Sequence, residues 1–320
     1  MSRPRLALTV GDPAGIGPEV VLKALRAEDR PEADYVVYGS AEVLKERAAR
    51  FGLPGPESPG VAVVNVPLAG ACLLGESSAV GGRAAAEAVL RAVADARAGR
   101  VDGIVTAPLN KESLRAAGYP WPGHTEMLAE AAETPDVAMM FVGGGLRVIL
   151  LTIHRSLRSV PDAVTPEVVG RIARLVHRDL LRCGVPRPRL ALCGLNPHAG
   201  EGGLFGDEEQ RVLIPAAAAL RAEGIDLVGP FSADSLFVRA VRGEFDAVLA
   251  GYHDQGLIPV KLLAFGHAVN VTIGLPFVRT SVDHGTGFDI AAKGVADAGS
   301  MLKAMSVAAE LVAGAASRRG

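Results

Sequence analysis

Short runs of β-branched and aliphatic residues alternate with longer segments rich in Ala, Leu, Arg and Glu along most of the 320-residue chain. Few architectures accept that rhythm. Strands joined by helical crossovers form a largely parallel sheet with helices on both faces, so an α/β fold is expected. Strands are expected at residues 6–10, 35–38, 61–66, 103–106, 137–142, 147–152, 189–193, 247–250 and 268–273. Helices are expected at 18–27, 41–51, 83–97, 125–132, 166–183, 207–223, 233–241 and 297–313. The strand runs are nearly all apolar, as a sheet covered on both faces requires. A chain of this length exceeds the reach of one hydrophobic core, so two lobes are expected, although no linker marks their boundary.

Some element ends carry their own mechanism. Arg97 stands in the last turn of an Ala-rich helix and Gly99 lies just beyond it, a reasonable helix stop. Asp207, Glu208 and Glu209 place acids at a helix start, where they suit the dipole and the caps. Pro215 breaks that helical segment in two. Gly143, Gly144 and Gly145 read as a turn between two strands rather than as a hinge.

Composition removes several classes of function. Apolar residues make up 49% and charged residues 21%, enough to build a packed core and so to exclude disorder. The 33 basic and 35 acidic residues leave a net charge of -2, with no cationic excess for a nucleic-acid backbone. Cys72, Cys183 and Cys193 do not make a disulfide framework and suit a reducing compartment. No apolar run is long enough to span a membrane, and no signal-peptide core follows the first five residues. A cytoplasmic α/β enzyme with neither a membrane nor a nucleic-acid partner is expected.

Residues 11–19 read Gly-Asp-Pro-Ala-Gly-Ile-Gly-Pro-Glu between a strand and a helix. The spacing is neither the dinucleotide G-x-G-x-x-G nor a P-loop. Gly11, Gly15 and Gly17 fit a structural strand-to-helix turn better than a ligand cradle. In the segment Pro-Gly-His-Thr-Glu at 122–126, His124 and Thr125 stand at a helix N-terminus, a ready anion site. Thr125 fits a plain N-cap equally well.

His154, His198 and His253 each follow a strand candidate. In parallel α/β folds, ligand sites gather at the carboxyl ends of strands. Taken singly, each reads as an ordinary loop histidine. Three of the seven histidines in the same placement point to a divalent-metal site with positions open for substrate. Asp254 and Asp234 are placed to accept imidazole N–H bonds or to touch substrate. His177 reads as solvated surface, and His267 has no comparable setting.

Lys261, Asn270 and Arg279 form a polar set in the last third of the chain. Arg suits bidentate carboxylate or phosphate and Lys acts as a point charge, although solvent-facing side chains are the plainer reading. The glycine-bearing loop at 283–294 contains His284, Gly285 and Asp289. Such a loop can wrap an adenosine, its acid holding the ribose hydroxyls; a surface loop is again the plainer reading.

Together these segments resemble the signatures of the 4-hydroxythreonine-4-phosphate dehydrogenase family of pyridoxal-phosphate biosynthesis. The likeness is carried by residues 11–19, 123–126, 194–203, 251–256 and 279–289, in family order, and extends from about residue 6 to about residue 313. The resemblance implies the isocitrate and isopropylmalate dehydrogenase-like fold, a two-lobed α/β/α homodimer with its active site in a cleft at the subunit interface. On that fold residues 1–135 and 265–320 form a discontinuous first lobe carrying the cofactor loop. Residues 136–264 form a second lobe carrying the histidines.

The resemblance further implies that His154, His198 and His253 ligate one divalent metal, whether Zn, Co, Ni or Mg. It makes His124, Thr125, Lys261, Asn270 and Arg279, with Asp234, contacts to a phosphorylated substrate. It makes His284, Gly285 and Asp289 contacts to NAD, with NADP as the other choice. Lys261 and Asp254 are the candidates for the catalytic base. The chain departs from the family pattern at 155–157, Arg-Ser-Leu, where a proline commonly precedes the leucine. It departs again at Leu204, a common histidine position, and in its small residues at Gly287 and Ala292.

The implied reaction is NAD-dependent oxidation of 4-phosphooxy-L-threonine to 2-amino-3-oxo-4-phosphooxybutanoate, then decarboxylation to 3-amino-2-oxopropyl phosphate. Two alternatives stay open. One is a relative acting on another phosphorylated hydroxy acid, such as threonate or erythronate 4-phosphate. The other is a three-histidine metal lyase or hydrolase without nicotinamide.

Overall fold

The computed structural model describes residues 3–317. Met1, Ser2 and residues 318–320, which the sequence reading assigned to the first lobe, lie outside the described residues. The strands are β1 Arg5–Thr9, β2 Asp34–Gly39, β3 Val61–Asn65, β4 Gly103–Thr106, β5 Ala138–Gly143, β6 Leu146–Leu150, β7 Leu190–Cys193, β8 Leu227–Phe231, β9 Ala247–Ala250, β10 Val269–Ile273 and β11 Val278–Ser281. Two compact units share the chain. One takes residues 3–137 with Leu275–Ala313, the other Ala138–Gly274 with residues 314–317.

In the first unit the strand order is β3-β2-β1-β4-β11 and every pairing is parallel. Leu8 pairs with Val37 on one side and Val105 on the other, and all three are fully buried. Burial on both faces is why these strands read as unbroken apolar runs. The helices Gly17–Ala24, Ala41–Phe51 and Ala79–Arg97 are the crossovers that parallel pairing demands. The apolar face of Ala79–Arg97 meets the sheet in a core that includes Tyr38, Val89, Ala92, Ile104, Leu114, Met127 and Phe277.

Helix Ala79–Arg97 begins earlier than the expected residue 83. Ser78 caps it, its Oγ accepting the Gly81 N–H at 3.0 Å. Gly81 and Gly82 look like breakers in the sequence, yet Gly82 serves a close approach. A Cβ there would stand 2.0 Å from the Ser113 carbonyl oxygen in helix Lys111–Ala116.

In the second unit the order is β10-β5-β6-β9-β7-β8. Strand β5 is antiparallel to β10 and to β6, while β6, β9, β7 and β8 run parallel. Gly144 (φ 58) and Gly145 (φ 81) make the turn from β5 to β6, as expected from the glycine run. This unit has its own core, including Phe141, Val148, Leu150, Leu236, Val248, Leu257 and Val260. No helix among the described residues is long and apolar enough to cross a membrane.

Several elements differ from the sequence reading, among them strand β11 and the short helix Lys111–Ala116, which it lacks. Strand β10 pairs with β5, Val271 opposite Met140, so residues 265–274 belong to the second unit and not with the C-terminal stretch of the first. Strand β8 was not anticipated because Gly229-Pro230 is a poor strand signal. It lies at an edge, where a missing N–H costs no ladder bond. Residues after 250 read as a loop because of Gly256 and Pro259, yet His253–Ala264 is a helix. Gly256 lets it lie close on the sheet: a Cβ there would stand 2.7 Å from Leu150 Cδ2.

Candidate active site

The topology of the second unit places its histidines. Strands β6, β9 and β7 are parallel neighbours, and His154, His253 and His198 follow their respective carboxyl ends. All three imidazoles therefore rise from the same edge of the sheet. The rings of His154 and His253 lie 5.7 Å apart between centroids. Two imidazoles on one tetrahedral ion, with nitrogens at about 2.1 Å, have centroids about 5 Å apart, so this pair stands near ligating separation.

His253 donates its Nδ1–H to Asp254 Oδ1 at 2.7 Å, and His198 donates its Nδ1–H to Glu201 Oε2 at 3.0 Å. Both then keep Nε2 for a ligand, the arrangement usual for metal-binding imidazoles. His198 also packs edge-on against Phe205, at 6.0 Å between centroids. Among the described residues no three His, Cys, Asp or Glu side chains are gathered closely enough to hold an ion. The expected triad is thus a close pair plus a third imidazole engaged with Glu201 and Phe205. Its loop is strained. Apart from Glu133, every described non-glycine residue with positive φ is in these loops: His154, His198, Ala199 and Glu201. Such strain collects at functional sites.

A cleft of about 680 Å³ opens beside this edge, lined by His198, Asp234, Tyr252, Asp254, Gln255 and Leu262 among others. The Ser232 hydroxyl (2.6 Å) and the Ser235 N–H (2.8 Å) donate to Asp234 Oδ1 and hold its carboxyl below the usual range, with His198 adding to the effect. Lys261 lies two turns beyond Asp254 on the same helix. Asn270 in β10 donates from Nδ2 to Met139 Sδ at 3.4 Å. Its Oδ1 is sealed from water with no partner among the described residues. A buried acceptor of that kind is costly until a donor reaches it.

In the first unit His124 opens helix His124–Ala131 behind Gly123, whose extended backbone supplies no side-chain cap. Thr125 is therefore a first-turn residue and not the N-cap, and the helix start is open to an anion. Arg279 lies inside β11, 2% exposed, and donates from Nη2 to Thr106 Oγ1 at 2.7 Å. Burial lowers its pKa to about 9. Burial also drives the His124 imidazole well below its ordinary value, and the nearby charge of Arg279 pushes the same way. His124 and Thr106 line a cleft of about 140 Å³ with Lys111, Ser281, His284 and Gly285. His284 donates its Nδ1–H to the Gly285 carbonyl at 3.0 Å.

Asp289 is exposed, in a loop anchored from beneath. Ile16 N–H donates to the Thr286 carbonyl at 2.9 Å, and Lys23 Nζ donates to the carbonyls of Gly294 and Ala296 at 3.0 and 2.8 Å. A Cβ on Gly11 (φ +68) would stand 2.1 Å from the Pro108 carbonyl oxygen, and one on Gly17 2.0 Å from that of Val10. These two glycines of segment 11–19 face backbone, as a structural turn would have them.

Among the expected site residues, His124, Thr125, Arg279, His284, Gly285 and Asp289 belong to the first unit. His154, His198, Asp234, His253, Asp254, Lys261 and Asn270 belong to the second. The sequence reading missed Thr106, Lys111 and Glu209. Thr106 ends β4, and its place at a strand terminus was the available signal. Glu209, read as a helix-start acid, is 1% exposed and bonds to the His198 loop.

The half-buried His124, whose Nε2 is sealed from water, gives a testable pH dependence. Its folded pKa lies below the unfolded value of about 6.5, so the unfolded chain binds the extra proton. Its contribution to stability is therefore present above about pH 6.5 and is lost as pH falls, by at most about 1.4 kcal/mol per unit. In urea unfolding, His124→Asn should lose less stability than the wild type between pH 7.5 and 5.5. Equal losses would show that His124 is not buried in its neutral form.

The fold is one that a solved β-decarboxylating dehydrogenase from Thermococcus kodakarensis shares at a TM-score of 0.50 and 15% identity, covering 96% of this chain and 83% of that one. The chain itself belongs to the pyridoxal phosphate biosynthetic protein PdxA family, whose model matches residues 31–308. It is 48% identical to 4-hydroxythreonine-4-phosphate dehydrogenase of Beijerinckia indica, over 96% of this chain and 94% of that protein. It is 47% identical to D-threonate 4-phosphate dehydrogenase of Cupriavidus necator, over 96% and 97%. The crystal structure of 4-hydroxythreonine-4-phosphate dehydrogenase from Klebsiella pneumoniae superposes at a TM-score of 0.92 with 44% identity, covering 97% of this chain and all of that one.

Proposed function

We propose that this oxidoreductase oxidises 4-phosphooxy-L-threonine with NAD and releases carbon dioxide from the β-keto acid, in pyridoxal 5'-phosphate biosynthesis. The observation that carries the reading is the delivery of His154, His198 and His253 to one edge of three adjacent parallel strands, two of them with Nδ1 held by a carboxylate. These histidines would hold one divalent ion: Zn²⁺, Co²⁺ or Ni²⁺ by ligand type, with Mg²⁺ as an alternative. Bound there, such an ion lowers the pKa of a substrate hydroxyl and polarises the ketone formed from it.

The chain's own groups do the rest. The Arg279 guanidinium and the first-turn amides at His124 and Thr125 hold substrate anions, and Thr106 fixes the guanidinium plane. Asn270 Oδ1 accepts a donor from the substrate. Asp254 holds His253, and Asp234 sits in the cleft beside His198. Lys261 takes the hydroxyl proton as the C–H electron pair leaves as hydride to NAD. Loss of carbon dioxide leaves an enolate, which takes a proton at carbon to give the amino ketone phosphate. His284, Gly285 and Asp289 receive the cofactor.

The test is turnover of a panel of phosphorylated hydroxy acids with NAD and added divalent ion, read as NADH absorbance. Absence of NADH with every substrate would sink the reading and favour a metal lyase or hydrolase. D-threonate 4-phosphate is the second reading, supported by the near-equal identity to the Cupriavidus enzyme. Faster turnover of that acid than of 4-phosphooxy-L-threonine would replace the first reading with it.

Two further expectations belong to this proposal. Asp289 brings an exposed carboxylate to the cofactor loop, where a 2′-phosphate would meet like charge. NAD should be preferred over NADP by about tenfold or more in kcat/KM, equivalent to about 1.4 kcal/mol. Asp289→Asn combined with Ile290→Arg should narrow or reverse that preference; equal use of both cofactors by the wild type would remove the loop from the cofactor site. The second expectation is a homodimer with the site shared across its interface. Ile258 (65%), Leu262 (83%) and Phe265 (82%) on and beside helix His253–Ala264 are exposed in the single chain, an apolar surface suited to a second copy. An active monomer by light scattering would contradict it.

A further inference from the structure

We infer that Glu209 is the positioning residue for His198, a buried carboxylate around which the histidine's loop is wrapped. The inference rests on the metal reading above. Glu209 Oε1 accepts the backbone N–H groups of Leu195 and Asn196 at 2.7 and 2.8 Å, and Oε2 accepts the Asn196 side-chain amide at 2.9 Å. Glu208 accepts from that same amide at 2.6 Å. One carboxylate thus fixes two consecutive amides and one side chain immediately before Pro197 and His198. The chain then returns over it. A Cβ on Gly200 would stand 2.8 Å from Glu209 Oε2, and one on Gly194 3.3 Å from Oε1.

Between these anchors the backbone is left-handed at His198, Ala199, Gly200, Glu201 and Gly202. Non-glycine residues resist that conformation, so a run of them persists only where the surroundings enforce it. Glu209 supplies the enforcement because its own turn is irregular. Residues Glu209–Leu213 form a π turn, with the Ile214 amide bonded to the Glu209 carbonyl. Pro215 has no N–H and its ring crowds the Arg211 carbonyl, which widens the turn there. Glu209 is 1% exposed, while its neighbours Asp207 and Gln210 stay in solvent. The acidic run is therefore not one cap but a solvated acid beside a buried anchor.

The experiment is a Co²⁺ titration of the metal-free full-length protein, followed by visible absorption. It compares wild type with Glu209→Ala, Glu209→Gln and the exposed control Asp207→Ala. Glu209→Ala should weaken Co²⁺ binding 10- to 100-fold, the usual cost of removing a partner that orients a ligand. Glu209→Gln should weaken it less, because its carbonyl oxygen still accepts the two backbone amides. Both should change the Co²⁺ spectrum, keep the wild-type KM for NAD, and recover kcat at saturating Co²⁺; Asp207→Ala should match the wild type throughout. If Glu209→Ala does not fold, Glu209→Gln decides. Wild-type affinity and spectrum in the folded Glu209 variants would overturn this role alone. A wild-type protein that binds no Co²⁺ would overturn the metal reading and this role with it.

Discussion

Replacing His154 or His198 with Asn, or His253 with Ala, should lower turnover at least a thousandfold while the protein stays folded. Asparagine is chosen at the first two positions because they hold φ values of 42 and 53, a left-handed backbone that Asn tolerates and most residues do not. The side chains of His198 and His253 are 64% and 44% exposed, so little packing is lost on substitution. Surface changes of that kind stay within about 0.5 kcal/mol. The expected catalytic loss is larger because the proposed ion would supply several kcal/mol of transition-state stabilisation, and about 4 kcal/mol already corresponds to a thousandfold. Metal content after dialysis, near-UV circular dichroism and initial rates together make the measurement. Full activity in two of the three variants would remove these histidines from the site.

The second large effect is expected at Arg279. Its guanidinium is 2% exposed, bonded to Thr106, and carries a pKa lowered to about 9 by burial. Holding a charge in that place costs stability, and under the proposed function a substrate anion would recover it. Arg279→Met should therefore cut kcat/KM for the phosphorylated substrate by about a hundredfold to several thousandfold, corresponding to about 3 to 5 kcal/mol for a lost buried ion contact. Most of that change should appear in KM. The thermal midpoint should hold or rise, because an apolar side chain of similar volume replaces a buried charge. Arg279→Lys should not rescue, since an ammonium cannot reproduce the planar fork. A kcat/KM within threefold of wild type in Arg279→Met would show that the buried guanidinium does not meet the substrate.

Much of the scaffold was legible because its signals are local. Helix Ala41–Phe51 was read to the residue: Ser40 Oγ caps the Val43 N–H at 3.3 Å, and Gly52 takes the left-handed position that ends it (φ 65). Helix Ala233–Val241 was likewise read to the residue. Helix His253–Ala264 failed by the same logic. Gly256 and Pro259 are local breakers, and packing against the sheet overrides them. Strand β11 was missed because four residues with an arginine inside carry no strand signal until the neighbouring strand pairs with them.

The sequence by itself determined the α/β rhythm, most of the strand and helix positions, and the placement of each histidine after a strand. Those depend on caps, periodicity and turn chemistry within a few residues of chain. Only the tertiary structure decided that β6, β9 and β7 are neighbours, which sets the rings of His154 and His253 5.7 Å apart across nearly a hundred residues of sequence. It also decided that Arg279 and Glu209 are buried and Asp289 is not. Charged side chains prefer water by default, and a sequence carries that default alone. Their burial follows from which distant surfaces close over them and which N–H groups or hydroxyls are brought within reach, and these are set by long-range pairing that no local pattern encodes.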